Sequence, residues 1–565
     1  MTPVEVVTCD VLVIGAGAAG LCAALAGREA GARVVVTSVT APHTGSATAI
    51  TQVAGAFVAA AAATTDPKDT VEAHLEDTLE AGRGLAEPAL ARHRVSRIVP
   101  FLGQLEACGV RFTRADHGGW LQFHSPGHRY PRTLAFGPAK GVSLARVLAE
   151  AATRAGAASL SSLVVTDLVK AEGRVAGAVG WDLGRQRAIA ISAGAVVLAS
   201  GGAGLCYPRT GLPRPTAGAG FGLAVAAGCT LIDMELVQWY PTALAEPGEP
   251  AHLVHYDTLL RQGAVFRTAS GEDVLASVTR DPERGITRDE MARYIGRARM
   301  ARPLADSRIF IDVSDCTSLD EHPVLRASPY AHLLRERSGQ PGRGLWVSPA
   351  AHYYLGGVAV DASGATDVPG LFAAGEVAGG CFGANRLEGN ALTDCVVGGD
   401  EAGRAAVAWA RRHDRAPLHA DAWRDSANPL EALHARRSGF RVAEAIEELQ
   451  GALEAGAGLV RTATGLAGAR ARLARVRADC ERLAAPDGQD VLHLAAFPHV
   501  LRAAEAIVLS SVAREESRGA FIRADFPDER AEGADAHVAI RLVDDRLEVD
   551  RRPVGGLASG VAAGT

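Results

Sequence analysis

The stretch that most limits what this chain can fold into is DVLVIGAGAAG, residues 10–20. Residues 10–15 form a short apolar run of strand type, and LCAALAGREAG after the glycines has the composition of a helix. ARVVVTS follows as a second strand and closes a βαβ unit of about 30 residues. In that setting Gly15, Gly17 and Gly20 read as a dinucleotide fingerprint. Gly15 makes the turn, Gly17 lets backbone N–H groups approach a pyrophosphate, and Gly20 lets the helix lie close on the strand. The glycine spacing alone would also suit a plain structural turn. The acid that usually receives a ribose hydroxyl is missing, because the second strand ends at Thr37-Ser38. That disfavours a free nicotinamide dinucleotide and favours a cofactor with further anchors elsewhere.

Two such anchors follow. AGAVVLASGGAG (193–204) and VPGLFAAGEVAGG (368–380) are also apolar runs that end in glycines, and Glu376 in the second can accept from a ribityl or ribose hydroxyl. Three strand-to-glycine junctions this far apart imply one large cofactor held by a discontinuous α/β domain of Rossmann type. The expected organisation is a first part over 1–240, an inserted α+β capping domain over 241–350, a second part over 351–425 and a helical bundle over 426–565. RVAEAIEELQGALEAGAGLVR and LAGARARLARVRADCERLAA carry the amphipathic pattern of that bundle, without sustained heptads. The tail GGLASGVAAGT is expected to be disordered.

Bulk properties exclude several classes. The net charge of −6 and the lack of a long basic run argue against a nucleic-acid partner. No run of about 20 uncharged apolar residues is present, so no transmembrane segment is expected. The start lacks a basic region followed by an apolar signal core. The nine cysteines are scattered, with no CxxC and no metal-ligand spacing. The expectation is a cytoplasmic chain with free thiols and no metal or iron–sulfur centre of its own.

Three cationic or titratable side chains stand out beside the glycines. Arg288 opens a predicted helix in GITRDEMARYIG, His352 precedes a Gly-Gly pair in AAHYYLGGVAVD, and Arg386 lies among small residues in FGANRLEGNALTDCVVGG. Singly, each has an ordinary reading: a helix surface charge, a satisfied core histidine, a loop ion pair. Together, with LIDMELVQWYPTAL and AREESRGAFIRADFP, these stretches resemble the flavoprotein subunits of succinate dehydrogenase and fumarate reductase, a family that includes L-aspartate oxidase. The resemblance runs nearly end to end.

It implies FAD, bound where the cofactor domain meets the capping domain. Gly15, Gly17, Ala18, Gly20, Ser38, Ser46, Thr48, Gly201, Gly202, Glu376, Asn390, Ala391 and Leu392 are the positions that would face it. It also implies hydrogen transfer across a bond next to a substrate carboxylate. Arg386 and His352 would grip the carboxylate, and Arg288 would move the proton. An arginine fits that last role only if burial and a second cation penalise its charged form. The partners implied are a small carboxylic acid and an electron acceptor, either a partner protein or O2. Three rivals to a stand-alone desaturase, reductase or oxidase stay open: a component of a fumarate reductase-type complex, an L-aspartate oxidase, and a flavin-binding scaffold without activity.

The sequence departs from the family at the far end of the substrate. The family's Gln-Phe-His-Pro-Thr is Gln238-Trp239-Tyr240-Pro241-Thr242 here, and its Thr-Glu is Tyr256-Asp257, followed by Arg261. A phenol donates one hydrogen bond but brings no charge. The distal end of the substrate is therefore not expected to be a succinate carboxylate held in the usual way, although Tyr240 could also replace the histidine with the substrate unchanged. Arg261 could supply a displaced charge. Ser46 occupies the place of the histidine that bonds flavin covalently in membrane-complex members, so non-covalent FAD is expected; His43 is the other candidate for attachment. Ser125 stands where aspartate oxidases carry a glutamate that meets the amine, and Asp257 could take over that contact.

Overall fold

The computed structural model describes residues 5–49, 57–116, 118–136, 140–214, 217–278, 285–300, 308–317, 319, 321–416, 420–436, 438–485 and 491–557. From residue 558 on, the tail expected to be disordered lies outside the described residues.

At the centre is a seven-stranded sheet. Glu5–Ile14 lies between Val34–Ser38 and Arg187–Leu198, parallel to both, and Leu371–Ala373 runs parallel beside Arg187–Leu198. The register pairs Ile14 with Thr37 and Leu198, and Leu198 with Ala373. The three strand-to-glycine junctions seen in the sequence thus end side by side at one rim of one sheet. Their apolar runs are continuous rather than alternating because the inner strands are covered on both faces. One cover is the helix pair Ala18–Glu29 and Asn390–Arg412. A Cβ on Gly399 would come within 2.2 Å of Ala19 O, and one on Gly403 within 2.3 Å of Ala23 O. Glycines one turn apart therefore let the two helix backbones touch.

The inserted region forms a four-stranded sheet in the order Val237–Leu244, Gly344–Tyr354, Ile309–Asp312, Val265–Thr268. The helix Arg288–Met300 packs against Val237–Leu244. Two of these strands run through residues 240 and 350, so the cap grows out of the cofactor domain along continuous strands.

The C-terminal part contains the two expected helices, Val442–Gly456 and Ala463–Asp479, and a third that the sequence reading did not single out, Val491–Ala513. The last is long and apolar enough to cross a membrane by length and composition. Here it is a core helix: Phe497, Val500 and Ile507 are fully buried, against Ala219–Ala226 and the two preceding helices. Beyond the bundle lies a hairpin, Ala536–Val543 with Arg546–Pro553, joined to Leu231–Ile232 in a second four-stranded sheet. Its turn residues Asp544 and Asp545 both adopt positive φ, 47° and 56°, as a two-residue hairpin turn demands.

That hairpin is tied to the rest by a buried charge network. His537 Nδ1 meets Asp233 at 2.5 Å and its Nε2 meets Glu87 at 3.0 Å, while Arg514 pairs with Asp233, Glu235 and Glu516. Burial opposes the imidazolium, but the two carboxylates outweigh it and raise the pKa of His537 to about 10. A raised folded-state pKa stabilises fully below the unfolded value near 6.5 and is lost as pH climbs through 10. The thermal midpoint should therefore fall between pH 7 and 10, and His537→Gln should flatten that slope. At pH 7 the variant should lose on the order of 3 kcal/mol, because two buried carboxylates lose their partner. Scanning calorimetry across pH checks both.

Candidate functional site

The rim where the parallel strands end is a long cleft with about 1130 Å³ of empty space, open to solvent at one side. Its floor is Ile14–Ala19, its sides are Thr37, Ser38, Ser46 and Thr48, and its far wall is Ala199–Gly201 with Glu376. Several observations suit a large dinucleotide. Gly17 caps the helix Ala18–Glu29 with no side-chain hydrogen bond, so that end offers backbone N–H groups to an anion. A Cβ on Gly17 would meet nothing nearer than 3.8 Å, so the space beside it belongs to the cleft. Gly15 at φ 113° and Gly20 are required by packing instead: a Cβ would strike Ala199 O at 2.2 Å and Gly15 O at 1.9 Å. Ser200 Oγ lines the cleft buried and without a partner. Thr48 Oγ1 accepts from Ala18 N at 3.1 Å and holds the loop of residue 48 over the fingerprint.

The cleft runs into a second cavity with which it shares Ala47, Thr48, Glu376 and Cys395. This cavity is lined by Arg288, His352, Arg386 and Glu388, with Phe57, Leu212, Leu253, Tyr353, Ala391 and Leu392 as its apolar wall. The three residues singled out from sequence therefore converge, from three separate elements. Arg288 is the first residue of the helix Arg288–Met300, His352 lies on the strand Gly344–Tyr354, and Arg386 precedes the helix that starts at Asn390.

Hydrogen bonds fix them. Arg386 Nη2 donates to Gln238 Oε1 at 2.8 Å, and Gln238 Nε2 donates back to Arg386 O at 2.8 Å and to Asn385 Oδ1 at 2.7 Å. Asn385 Nδ2 donates to Asp289 Oδ1 at 2.7 Å, which also accepts from Thr287 Oγ1 at 2.5 Å. The guanidinium of Arg386 stacks over Tyr353 at 4.8 Å. Arg288 Nη2 donates to Glu388 Oε1 at 2.9 Å and lies 5.6 Å from the ring centre of Tyr240.

The two arginines differ electrostatically. Burial, and then the charge of Arg288, pulls Arg386 down to about 10. It forms no ion pair among the described residues, and its Nε is buried and unpartnered. Burial also opposes the charge of Arg288, but Glu388 and the acids behind it outweigh that and its pKa rises. The penalty that the sequence reading assigned to Arg288 thus falls on Arg386. Burial and the two guanidiniums keep His352 well below the ordinary histidine range and neutral, with Nδ1 unpartnered. Burial raises Glu376 to about 7 although its Oε1 accepts from Tyr354 N at 3.0 Å.

The remaining sequence candidates are distributed around this centre. Tyr240 is fully buried, edge-on to His352 at 5.3 Å and to Tyr256 at 6.1 Å. Tyr256 donates its hydroxyl to Ile286 O at 2.9 Å, which uses the hydrogen bond a substrate would have received. Asp257 shares a small adjoining cavity with Tyr256, Arg288 and Glu388. Ser125 is buried, donates its hydroxyl to Thr133 Oγ1 at 3.1 Å and lies beside Glu388. Arg261 is exposed at the end of the helix Tyr256–Arg261 and lines neither cavity. Gly202 lies behind the cleft, where its Cβ would meet Glu376 Oε1 at 2.3 Å. Asn390 uses its side chain on His74 at 2.8 Å and Thr78 at 3.1 Å, which leaves its backbone for other work. His43 is exposed and lines neither cavity, whereas Ser46 lines the cleft. Sequence reading assigned no role to Gln238 or Glu388. For Glu388 the signal was present, a carboxylate two residues after Arg386 among glycines and small residues.

Two family descriptions match the chain: "FAD binding domain" over residues 10–392 and "Fumarate reductase flavoprotein C-term" over residues 446–556. One component of the fumarate reductase (CoM/CoB) of Methanothermobacter marburgensis is 32% identical over 94% of this chain and 96% of its own. The L-aspartate oxidase of Streptomyces coelicolor is 34% identical over 96% and 92%. Among solved structures, Mycobacterium smegmatis Sdh1 in complex with UQ1 superposes with a TM-score of 0.87 at 27% identity, covering 97% of this chain and 95% of that one. The chain belongs to the succinate dehydrogenase/fumarate reductase flavoprotein family. It is an FAD-dependent oxidoreductase, with a FAD-binding domain, a cap and a C-terminal helical region. The cleft agrees with this cofactor: it is glycine-lined at the helix N-terminus that would receive a pyrophosphate, with Glu376 and Ser200 offering polar atoms. Gly17→Leu should fold and yet emerge colourless, because its side chain grows into the cleft rather than into protein. Absorbance near the flavin maximum, with circular dichroism as the folding control, reads the result.

Proposed function

We propose that this flavoprotein adds or removes two hydrogens across a carbon–carbon or carbon–nitrogen bond next to a carboxylate of a small acid. One observation carries the reading. Arg386 is a buried guanidinium with no carboxylate partner among the described residues, on the wall of a cavity that opens into the cofactor cleft. A buried cation in that state is stabilised by an arriving anion. Bound FAD supplies hydride acceptance or donation at its ring.

The protein residues would do the rest. Arg386 and neutral His352 orient the carboxylate, and the guanidinium favours charge that builds on it as the neighbouring carbon gains enolate character. Arg288 gives or takes the proton on the other carbon. Glu388, 2.9 Å away, lets that transfer run along an ion pair, so the arginine need not persist uncharged. Asp257, whose pKa burial and then Glu388 push upward, lies in the adjoining cavity beside Arg288 and is placed to replace the proton that Arg288 passes on. The apolar wall of Phe57, Leu212 and Leu253 keeps water from the reacting atoms. All nine cysteines are free, which suits the cytoplasm.

The similarity to a component of a fumarate reductase supports a second reading, in which electrons pass to or from a partner protein. Anaerobic bleaching of the flavin by a panel of acids, followed by admission of air, separates the two. Peroxide marks O2 as acceptor, and a stable reduced flavin that a co-purified partner reoxidises marks one member of a complex. Arg288→Ala should keep the yellow colour and lose turnover by about a thousandfold. Turnover close to the parent's would remove Arg288 from the chemistry.

A further inference from the structure

We propose that Glu388 sets a charge rule for the substrate cavity: by holding Arg288 in an ion pair it leaves Arg386 as the unbalanced cation, so the site takes acids of one net negative charge and rejects dianionic dicarboxylates. The proposal rests on the carboxylate reading of Arg386 given above and goes beyond it, to the chemical class of the acid.

The argument is a charge count on the cavity wall. Two guanidiniums face the cavity among its described residues, Arg288 and Arg386, and two carboxyl groups, Glu388 and Glu376. His352 is neutral. Arg288 and Glu388 are in contact, and the pair is held in place from the acid side. Ser125 lies beside the Glu388 carboxylate, His128 Nε2 contacts Glu388 O at 2.9 Å, and Gly389 after it takes a positive φ of 83° that starts the next helix. Glu388 is therefore a fixed part of the wall rather than a loose side chain that a ligand could displace. Behind the pair stand Asp257, Tyr240 and Tyr256, which offer a second carboxylate no positive charge. Tyr256 has also committed its hydroxyl to Ile286 O. Below pH 7, where burial keeps Glu376 mostly protonated, a monocarboxylate gripped by Arg386 neutralises the cavity. A second bare carboxylate would face Glu388 with no unpaired cation. An acid that carries an ammonium group beside its second carboxylate restores the balance, because Glu388 can accept from that ammonium.

The rule is tested by equilibrium dialysis of the flavin-loaded enzyme with labelled butanoate, L-aspartate and succinate at constant ionic strength near pH 6, where Glu376 is mostly protonated. At least one of the first two, each of net charge −1, should bind about tenfold or more tighter than succinate. Glu388→Gln frees the charge of Arg288 and should raise succinate affinity about tenfold or more, while Glu388→Asp should keep the parent's order. Flavin content and circular dichroism confirm that both variants are folded. Succinate binding to the parent as tightly as the tighter of the two monoanions overturns the charge rule and leaves the carboxylate reading intact. An unchanged succinate preference in Glu388→Gln overturns the role of Glu388. Binding of none of the three acids sinks the carboxylate reading and this proposal with it.

Discussion

The site depends on how one amide is used. Gln238 satisfies both ends of its side chain within the loop that follows Phe382: its oxygen accepts a hydrogen bond from Arg386, and its nitrogen donates to the carbonyl of Arg386 and to Asn385. Asn385 passes the connection to Asp289, the second residue of the helix that begins with Arg288. A strand of the cap, a loop of the cofactor domain and a helix N-terminus are thereby locked by side chains that are all buried. Buried hydrogen-bond networks of this kind are strong constraints on geometry, because any displaced member leaves a buried polar group unpaired. Arg386 and Arg288 are held apart and aimed at one cavity by the same set of bonds.

Holding two guanidiniums together in a buried cavity is costly, and the protein divides the cost unequally. Arg288 is compensated within the chain by Glu388. Arg386 makes no ion pair among the described residues; it stacks on Tyr353 and donates to neutral acceptors, with Glu388 and Glu376 acting from farther off. Removing a partner from a buried charge typically costs about 3–5 kcal/mol, which is what a ligand carboxylate could return on binding. The uneven division also separates roles. A fully compensated arginine can exchange protons along its ion pair without changing the net charge of the cavity, whereas an uncompensated one demands an anion before the cavity is electrically comfortable.

The sequence made the cofactor half of this arrangement legible and left the substrate half partly hidden, for a physical reason. Glycines such as Gly15 and Gly20 announce themselves because backbone approach admits almost no other residue, and the apolar run before them has to be a buried strand. Arg288, His352 and Arg386 were visible by family resemblance, and their convergence follows from the strand register that sets Val237–Leu244 against Gly344–Tyr354. What the sequence could not convey is which hydrogen bonds are already used. Tyr256 looks like a donor until its hydroxyl is found on Ile286, Arg261 looks like a displaced cation until it is found on the exterior, and Glu388 looks like a loop charge until it is found on Arg288. The hairpin after residue 535 escaped for another reason: Ala536–Val543 is too short to outweigh the helical pattern before it, and only its pairing with Leu231–Ile232 makes it a strand.

That hairpin bears on the site through what it braces. Asp233, which accepts from Val538 N and Arg514 and meets His537, lies five residues before Gln238 on the same segment. Arg461 adds a bond from the helical region to Glu235 O, and its guanidinium is fully enclosed against Phe521 at 4.6 Å. The stretch 233–238 is therefore pinned from the C-terminal side just before it enters the cap sheet and delivers Gln238 to Arg386. Ala384, one residue before the Asn385–Arg386 pair, is bonded from Ala520 N. Both partners in the Gln238–Arg386 contact are thus fixed to the C-terminal region a few residues upstream. The helices and hairpin that supply no lining residue to the substrate cavity instead set the distance at which its two halves meet.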